Sequence, residues 1–316
     1  MPPAPEPLHL LIPDAVPPLP EGAPLPDLPS LPALDALLAR LRRADTIEVD
    51  EDSPATPFEA ALARANRLPG EPGRQPWAAF ESGAVGTPCA WLKPCHWQLG
   101  LDHVTLVDPA ALALTEDESR ALLAAVQPLL AEDGVALRYV APEAWLAQGE
   151  LFRGLVTWSM DRAVQRPLTR EVLALAPTAA QSAHLRRLQT EVQMLLYHHP
   201  VNEAREQGRR WPVNALWIAG AGQLDAPLPP APHVLVEPRL AQLPPVSTAG
   251  DYARAWQAID AGTVAQLRRV LDGGGDARLT LCGPRRAIAF APARGLGARI
   301  SSLFSPQRLL DVRQQL

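Results

Sequence analysis

The chain has 316 residues, 47% of them hydrophobic, which favours a globular fold of one large or two smaller α/β domains. Its net charge of −5 at pH 7 argues against a broad nucleic-acid-binding surface. No apolar run approaches the ~18 residues that span a membrane, and the N-terminus lacks the basic region of a signal peptide. The three cysteines suggest no disulfide framework. We therefore expect a cytoplasmic protein with neither a nucleic-acid nor a membrane partner.

Proline is concentrated at the N-terminus, where 12 of the 36 prolines fall within the first 32 residues. Such a segment is expected to run extended over the surface. Within it, the short apolar run Leu8–Ile12 predicts a buried first strand. We therefore divide the chain into a proline-rich segment, 1–32, and a single α/β domain, 33–316, in which residues of about 141–200 are a candidate smaller subdomain.

Asp14 follows this first strand at its carboxyl end. Ligands of open α/β sheets gather beyond the carboxyl ends of strands, so Asp14 has a functional interpretation. The alternative is a turn-forming aspartate, which is common after a strand. Because the signal consists of a single residue, we favour the turn-forming interpretation of Asp14.

Helix starts are marked by a Thr that is followed three residues later by Glu or Gln. The pattern occurs at Thr56–Glu59, Thr115–Glu118 and Thr178–Gln181. The three predicted helices end near Gly70, Gly134 and His198.

Other elements follow from apolar periodicity and breakers. A strand at Val104–Val107, the helix at Thr115–Glu132 and a strand at Val135–Val140 would form one α/β layer. We also predict a helix at Leu31–Arg43, a loop at Glu71–Gly86, helices at Asp251–Asp260 and Thr263–Leu271, strands at His233–Val236, Ala277–Cys282 and Ala287–Ala291, and a last helix from Ser305.

The stretch His184–Gly222 concentrates polar residues between a long helix and an apolar strand. The long helix stops before Pro200, and Asn202 is then expected to cap a helix of one to two turns that ends at Gly208. The strand begins after Asn214.

The same stretch predicts an anion site. The N-terminus of a short helix beside Arg205 suits a phosphate or a carboxylate. In this hypothesis Arg205 pairs with the anion, Asn202 and Asn214 orient it, and His199 adds a donor. The structural alternatives are that Asn202 serves only as a cap and that His199 only interacts with the end of the long helix.

The stretch Pro88–Pro109 contains residue types that bind zinc, namely Cys89, Cys95, His96 and His103. Their intervals do not match the usual zinc spacings, so core or loop positions are the favoured interpretation. Asp102 and His103 form an acid-base pair in sequence, but adjacent residues do not face each other in regular structure.

The central stretch resembles the archaeal-type, cofactor-independent phosphoglycerate mutases. That family has a helix ending in His-Pro-(Val/Ile)-Asn, then Arg, Gly and Pro-x-Asn, and an apolar strand ending in Gly-x-Gly. The matching positions here are His199, Pro200, Val201, Asn202, Arg205, Gly208, Pro212, Val213, Asn214, Trp217, Gly220 and Gly222. Leu10–Asp14 also looks like the family's first strand and its leading metal-binding aspartate. The resemblance implies an alkaline-phosphatase-like α/β fold, with a mostly parallel central sheet flanked by helices.

Over most of its length the chain looks more like a bacterial group of uncharacterised proteins, labelled phosphoglycerate mutase or RpfE-type regulatory protein. The similar segments are His96-Trp97, His103–Pro109 and Leu188 through Asn214. This resemblance implies a regulatory role as an alternative to mutase activity.

The chain departs from the mutase pattern where that chemistry needs metal ligands. The family resembles alkaline phosphatase in using two metal ions and a phosphorylated Ser or Thr, which requires several Asp and His ligands. After Gly222 the only histidine is His233, Ala15 stands where the family has Gly, and no clear nucleophile follows Asp14. Asp102-His103 is the only Asp-His pair.

We therefore predict a non-catalytic or regulatory relative that keeps a phosphate- or carboxylate-binding pocket and uses no cofactor. The alternative is an active, metal-dependent phosphoglycerate mutase or phosphatase, in which Asp14, His96, Asp102 and His103 form the metal site. A second alternative is a protein-interaction module that contacts a protein partner through exposed tryptophans and the proline-rich N-terminus.

Overall fold

The computed structural model describes residues 6–17, 24–100, 103–164, 166–168, 176–244, 247–292 and 309–316. The chain forms two compact units. The first comprises Met1–Asp52, Thr56–Arg67 and Ala231–Leu316, and the second comprises Ser53–Ala55 and Leu68–Pro230. These limits differ from the expected boundary after residue 32, because the first unit joins segments from both ends of the chain.

Twelve strands lie in the described residues. They are β1 (Leu8–Ile12), β2 (Leu41–Glu48), β3 (Cys89–Cys95), β4 (Trp97–Leu99), β5 (Val104–Leu106), β6 (Ala136–Ala141), β7 (Ala144–Gln148), β8 (Pro167–Leu168), β9 (Ala215–Gly222), β10 (Val234–Val236), β11 (Ala277–Cys282) and β12 (Arg286–Pro292).

The α-helices of the same residues are α1 (Pro32–Arg40), α2 (Pro57–Ala65), α3 (Trp77–Ser82), α4 (Pro109–Leu112), α5 (Glu116–Glu132), α6 (Met160–Val164), α7 (Ala179–Tyr197), α8 (Pro200–Gln207), α9 (Ala249–Ile259), α10 (Ala265–Asp272) and α11 (Leu309–Arg313). A 3-10 turn covers Glu150–Phe152, and a π-helical turn at Asp260–Val264 joins α9 to α10.

The three predicted capping sequences start helices. Thr56 and Thr115 form complete capping boxes, with the side chain of Glu59 or Glu118 bonded back to the cap. The side chain of Thr178 accepts a hydrogen bond from the backbone of Gln181. These starts are predictable because a capping side chain satisfies backbone N–H groups within its own first turn. The end of α2 was predicted less accurately, since the helix stops at Ala65 rather than near Gly70.

The first unit contains a five-stranded sheet in the order β10-β1-β11-β12-β2. β1 pairs in parallel with β10 and β11, whereas β12 is antiparallel to β11 and β2. Leu10 and Ile12 pack into the core with α1, α9 and α10, while Leu11 packs with residues of α2. Helices therefore cover both faces of the sheet around β1, as expected for an α/β fold.

The second unit contains a four-stranded antiparallel sheet in the order β6-β7-β3-β9 and a small sheet in the order β4-β5-β8. Buried residues of α5 and α7 share one hydrophobic core with the four-stranded sheet. The predicted single layer of β5, α5 and β6 is wrong, because β5 and β6 lie in different sheets. β6 instead forms a hairpin with β7, which follows it directly.

Several elements were not predicted, and β2 and α3 are two of them. Residues Leu41–Glu48 form β2, an edge strand paired with β12, where a helix end and a link were expected. The predicted loop Glu71–Gly86 contains α3. In both cases long-range packing decides the structure. Ser305, where the last helix was predicted to begin, lies outside the described residues.

Candidate functional site

The polar residues of the central stretch converge on the backbone of Trp211–Asn214, the segment that leads into β9. The Nε of Arg205 donates to the carbonyl of Trp211 at 2.7 Å, and the Nδ1 of His96 donates to the carbonyl of Pro212 at 2.8 Å. We call His96, Glu118, Asn202, Arg205 and Asn214 the clasp. Asn202 and Arg205 lie in α8, His96 follows β3 and Asn214 precedes β9. The clasp therefore connects these elements of the second unit.

The side chain of Asn202 forms its hydrogen bonds within the clasp and to the end of α7. Its Nδ2 donates to the carbonyls of Leu196, at 2.8 Å, and Val213, at 2.7 Å. Its Oδ1 accepts from the backbone N of Val213 at 2.8 Å, and the residue is 2% exposed. Asn202 thereby connects the end of α7 to the segment before β9, and its amide makes three of the four hydrogen bonds available to it.

The predicted capping role of Asn202 is wrong, because His199 is the N-cap of α8. The Nδ1 of His199 accepts a hydrogen bond from the backbone N of Val201 at 3.2 Å. An accepting Nδ1 requires a neutral imidazole, and burial lowers the pKa of His199 below its ordinary value. The hydrogen bond and the burial of His199 therefore both favour the neutral form.

Arg205 is fully buried, with 0% of the residue exposed. Besides its bond to Trp211, its Nη1 donates to Oε2 of Glu118 at 2.7 Å, and its Nη2 donates to the carbonyl of Leu112. All three nitrogens of the guanidinium thus have a partner within the second unit. The anion beside Arg205 is a carboxylate of the protein itself.

Glu118 joins the clasp to the start of α5. Its Oε1 pairs with Arg210 at 2.8 Å, and its Oε2 also accepts from the backbone N of Thr115 at 3.1 Å. Burial alone would raise the pKa of Glu118. The hydrogen bonds from Thr115 and the charges of Arg205 and Arg210 outweigh burial and lower it. Glu118 is therefore held as a carboxylate.

This geometry differs from the predicted anion site. A solute would have to displace Glu118 to reach Arg205. Asn214 was expected to bond to the turn at Asn202, but its side chain bonds to the backbone of Trp97 instead. Its Oδ1 accepts from the backbone N of Trp97 at 2.7 Å, and its Nδ2 donates to the carbonyl of Trp97 at 3.0 Å. The four predicted ligand-binding residues lie near one another, but their polar atoms bond to the backbone of the protein and, for Arg205, also to Glu118.

The Gly-x-Gly at the end of β9 also has a packing reason. Gly220 has a φ of +59°, and a Cβ there would lie 2.8 Å from the Cβ of Trp77 in α3. A Cβ on Gly222 would lie 2.7 Å from the Cβ of Pro76. Any larger residue would force the start of α3 away from the sheet.

The predicted metal ligands do not gather in the described residues. Asp14 is exposed after β1 in the first unit, with a φ of 51°. His96 belongs to the clasp of the second unit, His103 is exposed between β4 and β5, and Asp102 lies outside the described residues. Nowhere in the described ranges do three or more His, Cys, Asp or Glu side chains form a group that could hold a metal ion. The described side chains therefore do not fit a bimetallic centre.

The cysteines are buried and free. Burial raises the pKa of Cys89 to about 11 and raises the pKa values of Cys95 and Cys282 further. A nucleophilic cysteine needs the opposite shift. These thiols are therefore core residues, as favoured for Cys89 and Cys95 from their spacing.

The tryptophans are mostly internal. Five of the eight are buried, namely Trp91, Trp145, Trp158, Trp217 and Trp256. Trp211 is 39% exposed and lies 4.9 Å from the ring of His96, centroid to centroid. The interaction-module alternative therefore has few exposed indoles to rely on.

Among the described helices, none is both long and apolar enough to cross a membrane.

Comparisons with known proteins find a weak structural similarity. No protein-family model and no curated protein matches the chain. A cofactor-independent phosphoglycerate mutase from Thermoplasma acidophilum is 15% identical, with a TM-score of 0.37, over 98% of this chain and 99% of that one. The PH0037 protein from Pyrococcus horikoshii is 12% identical, with a TM-score of 0.41, over 92% of this chain and 88% of that one. Neither score is high enough to carry an inference about the site.

Proposed function

We propose that this chain is a non-catalytic binding protein of regulatory type, distantly related to the cofactor-independent phosphoglycerate mutases. In this proposal the mutase-like run of residues serves to hold the second unit together. The observation that carries the proposal is the ion pair between the fully buried Arg205 and Glu118. A phosphorylated substrate would need the guanidinium that Glu118 already holds.

The energetics support this assignment. Removing one partner of a buried ion pair costs about 3–5 kcal/mol, because the other charge is left uncompensated. A substrate anion that displaced Glu118 would restore a counter-charge to Arg205 but would first have to separate Glu118 from it. It would therefore bind more weakly than at a guanidinium that has no carboxylate partner.

One observation favours the competing enzyme. Asp14 lies two residues beyond β1, at the carboxyl end of two parallel pairings, the position at which α/β sheets bind ligands. Its positive φ is also uncommon for a residue other than glycine, although aspartate tolerates it better than most. The test of the proposal therefore includes Asp14.

The first experiment measures activity. The purified full-length chain is supplied with Mn²⁺ and assayed for interconversion of 2- and 3-phosphoglycerate, beside Asp14→Ala. We expect no turnover above the blank for either protein. Turnover by the wild-type chain that disappears in Asp14→Ala would overturn the proposal.

The second experiment measures binding at the clasp by thermal unfolding with 3-phosphoglycerate. We expect no stabilisation of the wild-type chain and a gain of stabilisation in Glu118→Ala, in which Arg205 loses its carboxylate partner. Stabilisation of the wild-type chain that is lost in Arg205→Ala would instead support the anion site predicted from the sequence.

A further inference from the structure

The first unit contains a buried arginine that is only partly paired. Arg313, at the end of α11, is 3% exposed. Its Nη1 donates to the carbonyl of Pro26 at 3.0 Å, but its Nε and Nη2 are buried and have no hydrogen-bond partner. Within the described residues no acidic side chain forms an ion pair with Arg313. A buried cation without a counter-charge is strongly disfavoured, and most buried arginines are therefore paired with an acidic group. The guanidinium of Arg313 lacks such a partner among the described residues.

Arg313 lines a cavity of the first unit with a volume of about 520 Å³. This is a typical size for a small-molecule site. Leucine side chains form much of the wall, among them Leu25, Leu28, Leu309 and Leu310. The cavity therefore combines an apolar wall with one buried positive charge.

The position of Arg313 in the fold also favours a ligand. Its Cζ lies 5.9 Å from the centroid of the Tyr252 ring. The hydroxyl of Tyr252 donates to the carbonyls of Ala15, at 2.7 Å, and Asp14, at 3.1 Å. Tyr252 thus connects Arg313 to the residues just beyond the carboxyl end of β1, and ligands of α/β sheets bind beyond such strand ends.

The two unpaired nitrogens define the ligand chemistry. Nε and Nη2 donate from the same side of the guanidinium and can bind both oxygens of one carboxylate or of one phosphate. Two exposed acids, Asp27 and Asp35, also line the cavity, and their charges disfavour a dianion more than a monoanion.

We propose that this cavity binds a small monocarboxylate with an apolar chain, whose carboxylate pairs with the Nε and Nη2 of Arg313 and whose chain contacts the leucine wall. Since both nitrogens are covered in this structure, binding includes a small movement of the guanidinium toward the cavity that it lines. The site goes beyond the proposed function, because it lies in the other unit and involves no residue of the clasp.

The test uses sodium hexanoate, sodium acetate and sodium phosphate as probes on the full-length chain. Thermal unfolding is followed at constant ionic strength, so that general salt effects cancel. We expect a saturable rise in Tm with hexanoate, a smaller rise with acetate and the smallest with phosphate. No saturable rise with either carboxylate would overturn the site, and a larger rise with phosphate would overturn its ligand class.

Variants locate the effect. Arg313→Met should abolish the hexanoate shift, whereas Arg286→Met, a change at a surface arginine of the same unit, should leave it intact. Leu310 is 57% exposed, so Leu310→Ala should fold normally. It should weaken hexanoate binding several-fold and leave acetate unchanged. Equal hexanoate shifts in the wild-type chain, Arg313→Met and Leu310→Ala would show that hexanoate binds elsewhere and would overturn the proposal. Mutase turnover has no bearing on these outcomes.

Discussion

Two arginines of this protein are almost equally buried but differently paired. Arg205 in the second unit is 0% exposed, and Arg313 in the first unit is 3% exposed. Each nitrogen of Arg205 donates to a carbonyl or to Glu118, whereas only Nη1 of Arg313 has a hydrogen-bond partner, and the guanidinium otherwise lies beside the ring of Tyr252. Burial alone therefore does not distinguish a structural arginine from a ligand-binding one.

The pairing of the donors makes that distinction. A fully paired guanidinium stabilises the backbone around it, and a solute can reach it only by breaking the existing bonds. A partly paired one is stabilised when an anion arrives, because the cost of burying the charge is then offset. We expect Arg205 to matter for folding and Arg313 to matter for binding.

The largest effect is expected from Glu118→Ala, which leaves Arg205 without its carboxylate. The free energy of unfolding should fall by about 3–5 kcal/mol, as for other broken buried pairs. Chemical denaturation measures the loss, and sodium acetate should restore part of it by entering the vacated position. Glu116→Ala is the control, since Glu116 lies in the same helix and pairs with Arg120 at the surface. If both substitutions cost the same, the ion pair does not stabilise the clasp.

The next effect concerns His9, a buried base of the first unit whose Nε2 lies 2.7 Å from the Thr280 hydroxyl. Burial, with smaller contributions from Arg278 and His233, lowers the pKa of His9 from 6.5 to about 4. As pH falls, the unfolded chain takes up this proton first, so the contribution of His9 to stability is present above about pH 6.5 and is lost on going down to about pH 4. The loss should be about 3 kcal/mol.

Urea denaturation of the wild-type chain and His9→Gln across that pH range measures this dependence. The slope of stability against pH should be shallower in His9→Gln, while His103→Gln, a change at an exposed histidine, should keep the wild-type slope. Parallel curves for the wild-type chain and His9→Gln would show that His9 is not held neutral.

A smaller effect separates the two asparagines of the clasp. Asn202→Ala should cost about 2 kcal/mol, because it removes the partner of both the carbonyl and the backbone N of Val213 and one of the hydrogen bonds to the carbonyl of Leu196. Asn214→Ala should cost about 1 kcal/mol, since Asn214 is only half-buried and water can replace its bonds to Trp97. Denaturation midpoints of the two variants test this order, and a reversed order would contradict the assignment of Asn202 as the central residue.

The smallest effect on stability is expected at Arg313. Arg313→Met should change the free energy of unfolding by less than about 1 kcal/mol in the absence of ligand, or raise it, because it removes an uncompensated buried charge. Arg205→Met should cost several times more. Similar losses in both variants would remove the contrast between the two arginines.

Local features of the fold were predictable because their causes are local. The helix starts at Thr56, Thr115 and Thr178 follow from side chains that bond within one turn, and β1 follows from a short, mostly apolar run. The β2 strand and α3 were missed, since β2 depends on pairing with β12 and α3 on packing against Gly220 and Gly222.

The candidate site was predicted only in part, because its long-range contacts, like those of β2 and α3, are not visible in the sequence. The central stretch did identify residues that lie together, but the sequence showed donors without their acceptors. His199 rather than Asn202 proved to be the cap, and a signal for this was present, since Pro200 suits the first position of a helix. Arg313 was not predicted, because an arginine near the end of the chain carries no sign that it will be buried.

What the sequence determined by itself is the set of helix starts, the first strand and the α/β class, each of which depends on contacts within a few residues or on apolar periodicity. Only the tertiary structure decided the role of the central polar residues. Glu118 is 87 residues from Arg205 in the chain, and no local pattern links them. Because the fold brings that carboxylate to the guanidinium and brings none from the described residues to Arg313, the first arginine is structural and the second is the candidate for binding.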